Sequence, residues 1–152
     1  MRRLTVRSPV PGRVLPLAEV PDPVFAGAMV GPGLAVDPSP RPHDAVAPVD
    51  GTLVKLHPHA FVVGAPDGLA VLVHLGIDTV RLKGLGFTLR VSEGESVRAG
   101  QPIVGWDPTA VAAGGRSPVC PVVALDSTPE ALSQLASAGP VSAGDPLFTV
   151  TG

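Results

Sequence analysis

Apolar residues along this chain come in short runs that turn-forming residues repeatedly interrupt. Arg13-Val14-Leu15, Leu34-Ala35-Val36, Gly51 to Leu56, Phe61 to Val63, Leu69 to Leu75, Phe87 to Val91, Pro102 to Trp106, Pro121 to Leu125 and Leu147 to Val150 are rich in β-branched residues. Runs of this length bounded by Gly, Pro, Asp and Ser read as strands, and many of them at regular spacing predict an all-β fold, an antiparallel β-sandwich with some barrel-like distortion. Two short helices are predicted against this background. Ser127-Thr128-Pro129-Glu130 has the residues of a helix start, and Gly139 closes the segment Ala131 to Ala138. A shorter helix starts at Asp107-Pro108 and runs to Ala113, ahead of Gly114-Gly115. The prolines at 38, 40 and 42 predict an exposed loop from Asp37 to His43.

The runs carry a faint internal echo. Ser8-Pro9-Val10-Pro11-Gly12-Arg13-Val14 resembles Ala47-Pro48-Val49-Asp50-Gly51-Thr52-Leu53, and Glu93 to Val104 resembles Ala138 to Phe148. The period is too loose for a solenoid, so a duplicated β-motif packed face to face is the better reading.

Composition narrows the classes. A chain of 152 residues, 45% hydrophobic and with a net charge of −2, has enough apolar content for one core, and one domain over 1–152 is expected. The 18 glycines and 19 prolines exclude a helical bundle. With 11 basic against 13 acidic residues, 4 Phe, 1 Trp and no Tyr, there is neither a phosphate-attracting field nor a base-stacking platform, which excludes nucleic acid as a partner. Cys120 stands alone, so no internal disulfide can form; a buried thiol and a reducing compartment are expected. The basic opening lacks an apolar stretch of signal length and no run reaches the length of a membrane span, so the expectation is a cytoplasmic protein without direct membrane insertion.

Polar chemistry is otherwise thin, which makes the histidines informative. His57 and His59 are two apart and on an extended chain would share a face, while His74 sits in the apolar run Ala70 to Asp78, where period two would put His74, Gly76 and Asp78 on one side. Burying such groups without partners costs several kcal/mol, roughly 2–7 for a neutral polar group. Three roles fit the pattern: a structural imidazole bonded to a carbonyl, a zinc site in which His57, His59 and His74 leave a fourth position open, and a phosphoryl acceptor whose neutral nitrogen attacks phosphorus while a neighbouring imidazole steadies the oxygens. Spacing alone leaves all three open.

The surrounding residues discriminate. Val73-His74-Leu75-Gly76-Ile77-Asp78-Thr79-Val80-Arg81-Leu82-Lys83-Gly84-Leu85-Gly86-Phe87 resembles the active-site signature of the glucose-type enzyme IIA domains of the bacterial sugar phosphotransferase system. The resemblance continues through Val20 to Ala26, Ala47 to Thr52, His59-Ala60-Phe61 and Glu93 to Val97, in the expected order, from about Thr5 to Val150. It implies a phosphotransferase component in which His74 accepts a phosphoryl group on Nε2 from the carrier HPr. The group then passes to a cysteine on the IIB domain of a sugar permease, driving sugar uptake, with His59 steadying it on the way. No cofactor is required, although His59 and His74 could share a zinc ion at a partner interface. The resemblance also implies an apolar docking face formed by Phe25, Met29, Val30 and Val80 and edged by Asp22 and Asp78. Regulatory target proteins are further partners of such domains, because phosphorylation changes the charge of the docking face.

This sequence departs from the family pattern in two ways. His57 stands where a threonine that fixes an active-site imidazole is expected; an imidazole could take over that task or bring a third nitrogen to a metal. The segment Lys55 to His59 also lacks the usual phenylalanine, so part of the apolar rim is reshaped. Two unrelated readings fare worse. A zinc peptidase of the LytM type would need an HxxxD arrangement, and His43 is followed directly by Asp44; a biotinyl or lipoyl carrier needs a lysine at a hairpin tip, and neither Lys55 nor Lys83 has that context. A purely regulatory binding protein of the same β-fold is the remaining alternative.

Overall fold

A computed structural model describes residues 2–66 and 68–152. Fourteen strands dominate it: β1 (Arg3–Arg7), β2 (Gly12–Pro16), β3 (Gly33–Pro38), β4 (His43–Val46), β5 (Gly51–His57), β6 (Ala60–Gly64), β7 (Ala70–His74), β8 (Phe87–Leu89), β9 (Ser96–Val97), β10 (Pro102–Trp106), β11 (Cys120–Leu125), β12 (Leu132–Ser133), β13 (Gly139–Val141) and β14 (Pro146–Thr151). They pair antiparallel into an eight-stranded sheet ordered β13-β2-β3-β11-β7-β6-β5-β9 and two three-stranded sheets, β1-β14-β12 and β4-β10-β8. The sheets pack as a sandwich and do not close into a barrel. Their shared core takes Val36, Phe61, Val71 and Val73 from the large sheet, Phe148 and Val150 from β14, and Ile103 and Val104 from β10.

Alternation along the strands explains which side chains go where. Val71 and Val73 of β7 are fully buried in this core, whereas Leu72 turns to the opposite face and packs on a smaller cluster of Leu17, Val20, Phe25, Ala35, Ile77 and Val123. His74 follows Leu72 by two and projects on the same side as this smaller cluster.

The internal echo has a structural counterpart. Arg98 and Ser142 each open a turn in which the first N–H is accepted by the side chain of the fourth residue, Gln101 at 3.1 Å and Asp145 at 2.8 Å. The third residues, Gly100 and Gly144, have φ of 89° and 91°. The other pair of similar segments meets directly, with Arg7 N–H donating to Pro48 O and Val46 N–H to Pro9 O.

Three local expectations need correction. The helix predicted over Ser127 to Ala138 is absent: Pro129–Ala131 form one 3-10 turn, and Leu132 and Ser133 then pair with Val150 and Thr149 of β14. A helix not anticipated, α1 (Pro23–Ala26), starts instead at Asp22, whose side chain accepts from Val24 N–H; Pro23 occupies the first helical position, where its missing N–H costs nothing. The proline loop is shorter than expected, since Asp37 and Pro38 still belong to β3 and His43 already opens β4. The second predicted helix, α2 (Pro108–Ala113), is present and is capped by Asp107. Among the described residues no helix is long and apolar enough to cross a membrane.

Candidate functional site

His59 and His74 meet because β6 and β7 are neighbours in register. Ala60 lies opposite His74, and Leu75 N–H donates to His59 O at 2.7 Å, so the histidine just before β6 and the last residue of β7 come together at one end of the antiparallel pair. Their rings stand edge to face with centroids 5.3 Å apart. His57 is the last residue of β5, and Pro58-His59 form the tight connection to β6. The two histidines are therefore neighbours across a hairpin turn rather than along an extended strand, and their rings stack at 5.6 Å with planes inclined by 25°. Glu93 braces this hairpin from outside by accepting the Leu56 N–H at 2.9 Å.

The alternation expected for His74, Gly76 and Asp78 stops at His74, where β7 ends. Gly76 takes φ 78° and Asp78 φ 59°, which folds the chain back until the Gly76 carbonyl accepts the His74 Nδ1–H at 2.5 Å. A carbonyl can only accept, so the proton is on Nδ1 and Nε2 keeps its lone pair. Only glycine fits at 76. A Cβ there would lie 2.8 Å from Thr79 Cγ2 and 3.0 Å from Ser117 O, in a backbone region that L-residues avoid. Thr79, fully buried, secures the same turn by donating its hydroxyl to Leu75 O at 2.7 Å. Sequence reasoning did not single it out; a β-branched hydroxyl five residues beyond a strand end is a weak signal.

Both site imidazoles are held below their ordinary pKa. Burial lowers His74, against the bond to Gly76 and the carboxylates of Asp22 and Asp78. Burial first, then the neighbouring His74 and His57, lowers His59 to about 4. At neutral pH these two are therefore uncharged, and His74 offers an unprotonated nitrogen.

The residues expected to dock partners fall around this pair. Phe25, nearly buried on α1, packs against His74 with ring centroids 5.2 Å apart and planes inclined by 59°, and Asp22 holds that helix from its N-terminus while also acting on the charge of His74. Met29 is 76% exposed and Val80 57% exposed, whereas Val30 is half-buried against the smaller cluster. Asp78 is exposed at the start of the 3-10 turn Thr79–Leu82. Among the described residues no three His, Cys, Asp or Glu side chains are grouped to hold a metal ion, so the three-histidine zinc arrangement has no geometric support. Cys120 is a buried thiol, pushed up to about 12 by burial, and is inert at neutral pH.

The sandwich and its site define a protein that presents a neutral imidazole nitrogen beside a second imidazole, among exposed apolar side chains suited to meeting another protein. Residues 4–129 match the family model described as phosphoenolpyruvate-dependent sugar phosphotransferase system, EIIA 1. The chain belongs to that family and is a phosphocarrier, a phosphotransferase component of a sugar phosphotransferase system. It is 40% identical over 121 residues to a PTS system glucose-specific EIIA component of Bacillus cereus, covering 78% of this chain and 72% of that protein. It is 41% identical over 148 residues to a PTS system N-acetylglucosamine-specific EIICBA component of Klebsiella pneumoniae, covering 95% of this chain and 22% of that protein. The solved glucose permease IIA of Mycoplasma capricolum superposes with a TM-score of 0.90 at 34% identity, over 99% of this chain and 97% of the other.

Proposed function

We propose that His74 is the phosphoryl acceptor, taking the group from phospho-HPr and passing it to the IIB domain of a sugar permease. The observation that carries this reading is the Nδ1–H bond to Gly76, which leaves the Nε2 lone pair free beside His59. In the first step Nε2 attacks phosphorus, a new N–P bond forms and the bond to the donor histidine of HPr breaks. In the second, a cysteine thiolate of IIB attacks, an S–P bond forms and the His74 nitrogen regains its lone pair.

His59, neutral because its pKa is held at about 4, donates one N–H to the phosphoryl oxygens and adds no charge that would trap the group. His57 stacks on His59 and holds its ring in that orientation. Transfer between two nitrogens calls chiefly on positioning and hydrogen bonding. Phe25, Met29, Val30 and Val80 form the apolar contact and Asp22 and Asp78 its acidic edge. The IIB partner is supported by relatives from Klebsiella pneumoniae and Corynebacterium glutamicum, whose EIICBA and EIIBCA components combine IIA with IIB in one protein.

The test is intact-protein mass spectrometry after incubation with phosphoenolpyruvate, enzyme I and HPr. The wild type gains one acid-labile phosphoryl group and His74→Ala gains none. No gain on the wild type, or an equal gain on His74→Ala, would refute the assignment.

A further inference from the structure

Among the described residues, the three most exposed of the large apolar side chains are Leu85, Met29 and Val80, at 79%, 76% and 57%. Met29 and Val80 belong to the face already described. Leu85 lies on a turn to which nothing so far assigns a role. That turn is fixed by three successive hydrogen bonds: Lys83 N–H to Val80 O at 3.2 Å, Leu85 N–H to Leu82 O at 3.0 Å, and Phe87 N–H to Gly84 O at 3.2 Å. Lys83, Gly84 and Gly86 all adopt positive φ, at 53°, 86° and 88°. Leu82 and Phe87 anchor its two ends in the main core.

The tip of the turn adjoins the histidines. A Cβ at Gly84 would touch Pro58 Cγ at 3.4 Å, and Pro58 is the residue between His57 and His59. A leucine held in water by a turn whose ends are anchored is not a packing accident, and together with Met29 and Val80 it extends the apolar face beyond the histidines. The same segment carries two exposed cations. Among the described residues neither Arg81 nor Lys83 takes part in an ion pair, although Arg90 does with Asp44. The rim of the site is thus of mixed sign, acidic at Asp22 and Asp78 and basic at Arg81 and Lys83.

We propose that the turn from Arg81 to Phe87 is part of the surface on which the IIB domain sits, with Leu85 entering an apolar recess of IIB and Arg81 and Lys83 facing carboxylates there. This rests on the reading of His74 as the phosphoryl acceptor. IIB is the partner chosen because relatives join it to the equivalent domain in one polypeptide, and because the turn continues the surface around the acceptor. A partner that is basic throughout would meet repulsion at Arg81 and Lys83, so the matching surface carries both signs.

The experiment measures phosphoryl transfer from the phosphorylated chain to purified IIB at increasing concentrations of the chain. Leu85→Ser raises the half-saturating concentration about tenfold, the loss expected for one buried leucine contact, and leaves the plateau rate unchanged. The double variant Arg81→Glu, Lys83→Glu raises it further and changes its dependence on ionic strength. Val54→Ser, an equally conservative loss of an exposed apolar side chain at the far end of the β5–β6 hairpin, has no effect. Unchanged half-saturation for Leu85→Ser and for the double variant, or an effect confined to transfer from HPr, overturns the proposal. A wild type that takes up no phosphoryl group overturns the acceptor reading itself, and this inference with it.

Discussion

Replacing Gly76 by alanine tests how the acceptor is positioned, and a second glycine supplies the matching reference. Gly76 and Gly115 both take a left-handed φ, 78° and 85°. A Cβ at 115 meets nothing within 4 Å, whereas at 76 it meets Thr79 Cγ2 at 2.8 Å, Ser117 O at 3.0 Å and Val111 Cγ1 at 3.4 Å. Gly115→Ala therefore carries only the left-handed backbone cost, about 1–2 kcal/mol. Gly76→Ala adds crowding in a closed site, about 1–3 kcal/mol more, for a total of roughly 2–5 kcal/mol. In a chain of this size each kcal/mol lowers Tm by about 2–4 °C. Thermal unfolding followed by circular dichroism should thus place Gly76→Ala clearly below Gly115→Ala. Phosphorylation by HPr should fall in the first variant alone, because shifting the Gly76 carbonyl releases the His74 ring, and 15N chemical shifts of His74 should show the proton no longer confined to Nδ1. Equal stability losses in the two variants would refute the crowding argument. A normal His74 tautomer together with a lost transfer rate would refute the link from carbonyl to ring.

Two further outcomes follow from the imidazole pair. His59→Gln should still be phosphorylated at His74 yet pass the group to IIB about 10²–10³-fold more slowly, the usual loss for one donor to a transferring group; normal onward transfer in a rapid-quench assay would remove His59 from the mechanism. Because the folded protein depresses the His59 pKa from 6.5 to about 4, the unfolded chain binds more protons between those values. Stability from this residue is then present above about pH 6.5 and lost as pH falls towards 4. Melting temperatures across that range should drop, and His59→Gln should drop less; identical acid profiles would contradict the depressed value.

Much of the architecture was legible because the β signal repeats in short, punctuated runs, and β7 or β11 would be recognised in almost any context. The segment after Ser127 misled because its apolar residues at 131, 132, 135 and 136 suit a helix as well as anything else. The ladder to Val150 and Thr149 settles the matter, together with the bond from Ala136 N–H to Leu147 O, and no local rule sees a pairing partner as far along the chain as Val150 is from Leu132. At the site, the identity of the histidines was visible and their geometry was not. Period two predicted the wrong neighbours for His74, because the left-handed residues at 76 and 78 end the strand. The helix start at Asp22-Pro23 went unrecognised, although aspartate followed by proline is a common helix opening, the one α1 uses. Leu85 escaped notice because a lone leucine between two glycines says nothing until the turn around it shows where it points.

On the proposed reading of His74 as the phosphoryl acceptor, its bond from Nδ1 to Gly76 O also bears on what would happen after the group is loaded. Once Nε2 carries phosphorus, an imidazole that lost its Nδ1 proton would press a lone pair against the carbonyl oxygen. The ring is therefore held in its protonated, positively charged form for as long as the group is attached. When phosphorus departs, what remains is a neutral imidazole, a far better leaving group than an imidazolate, and no proton has to be found at that moment. A main-chain carbonyl thus sets the chemical lability of the cargo: the phosphohistidine stays activated towards transfer, which is the condition for handing a phosphoryl group forward, or back, with little loss of driving force.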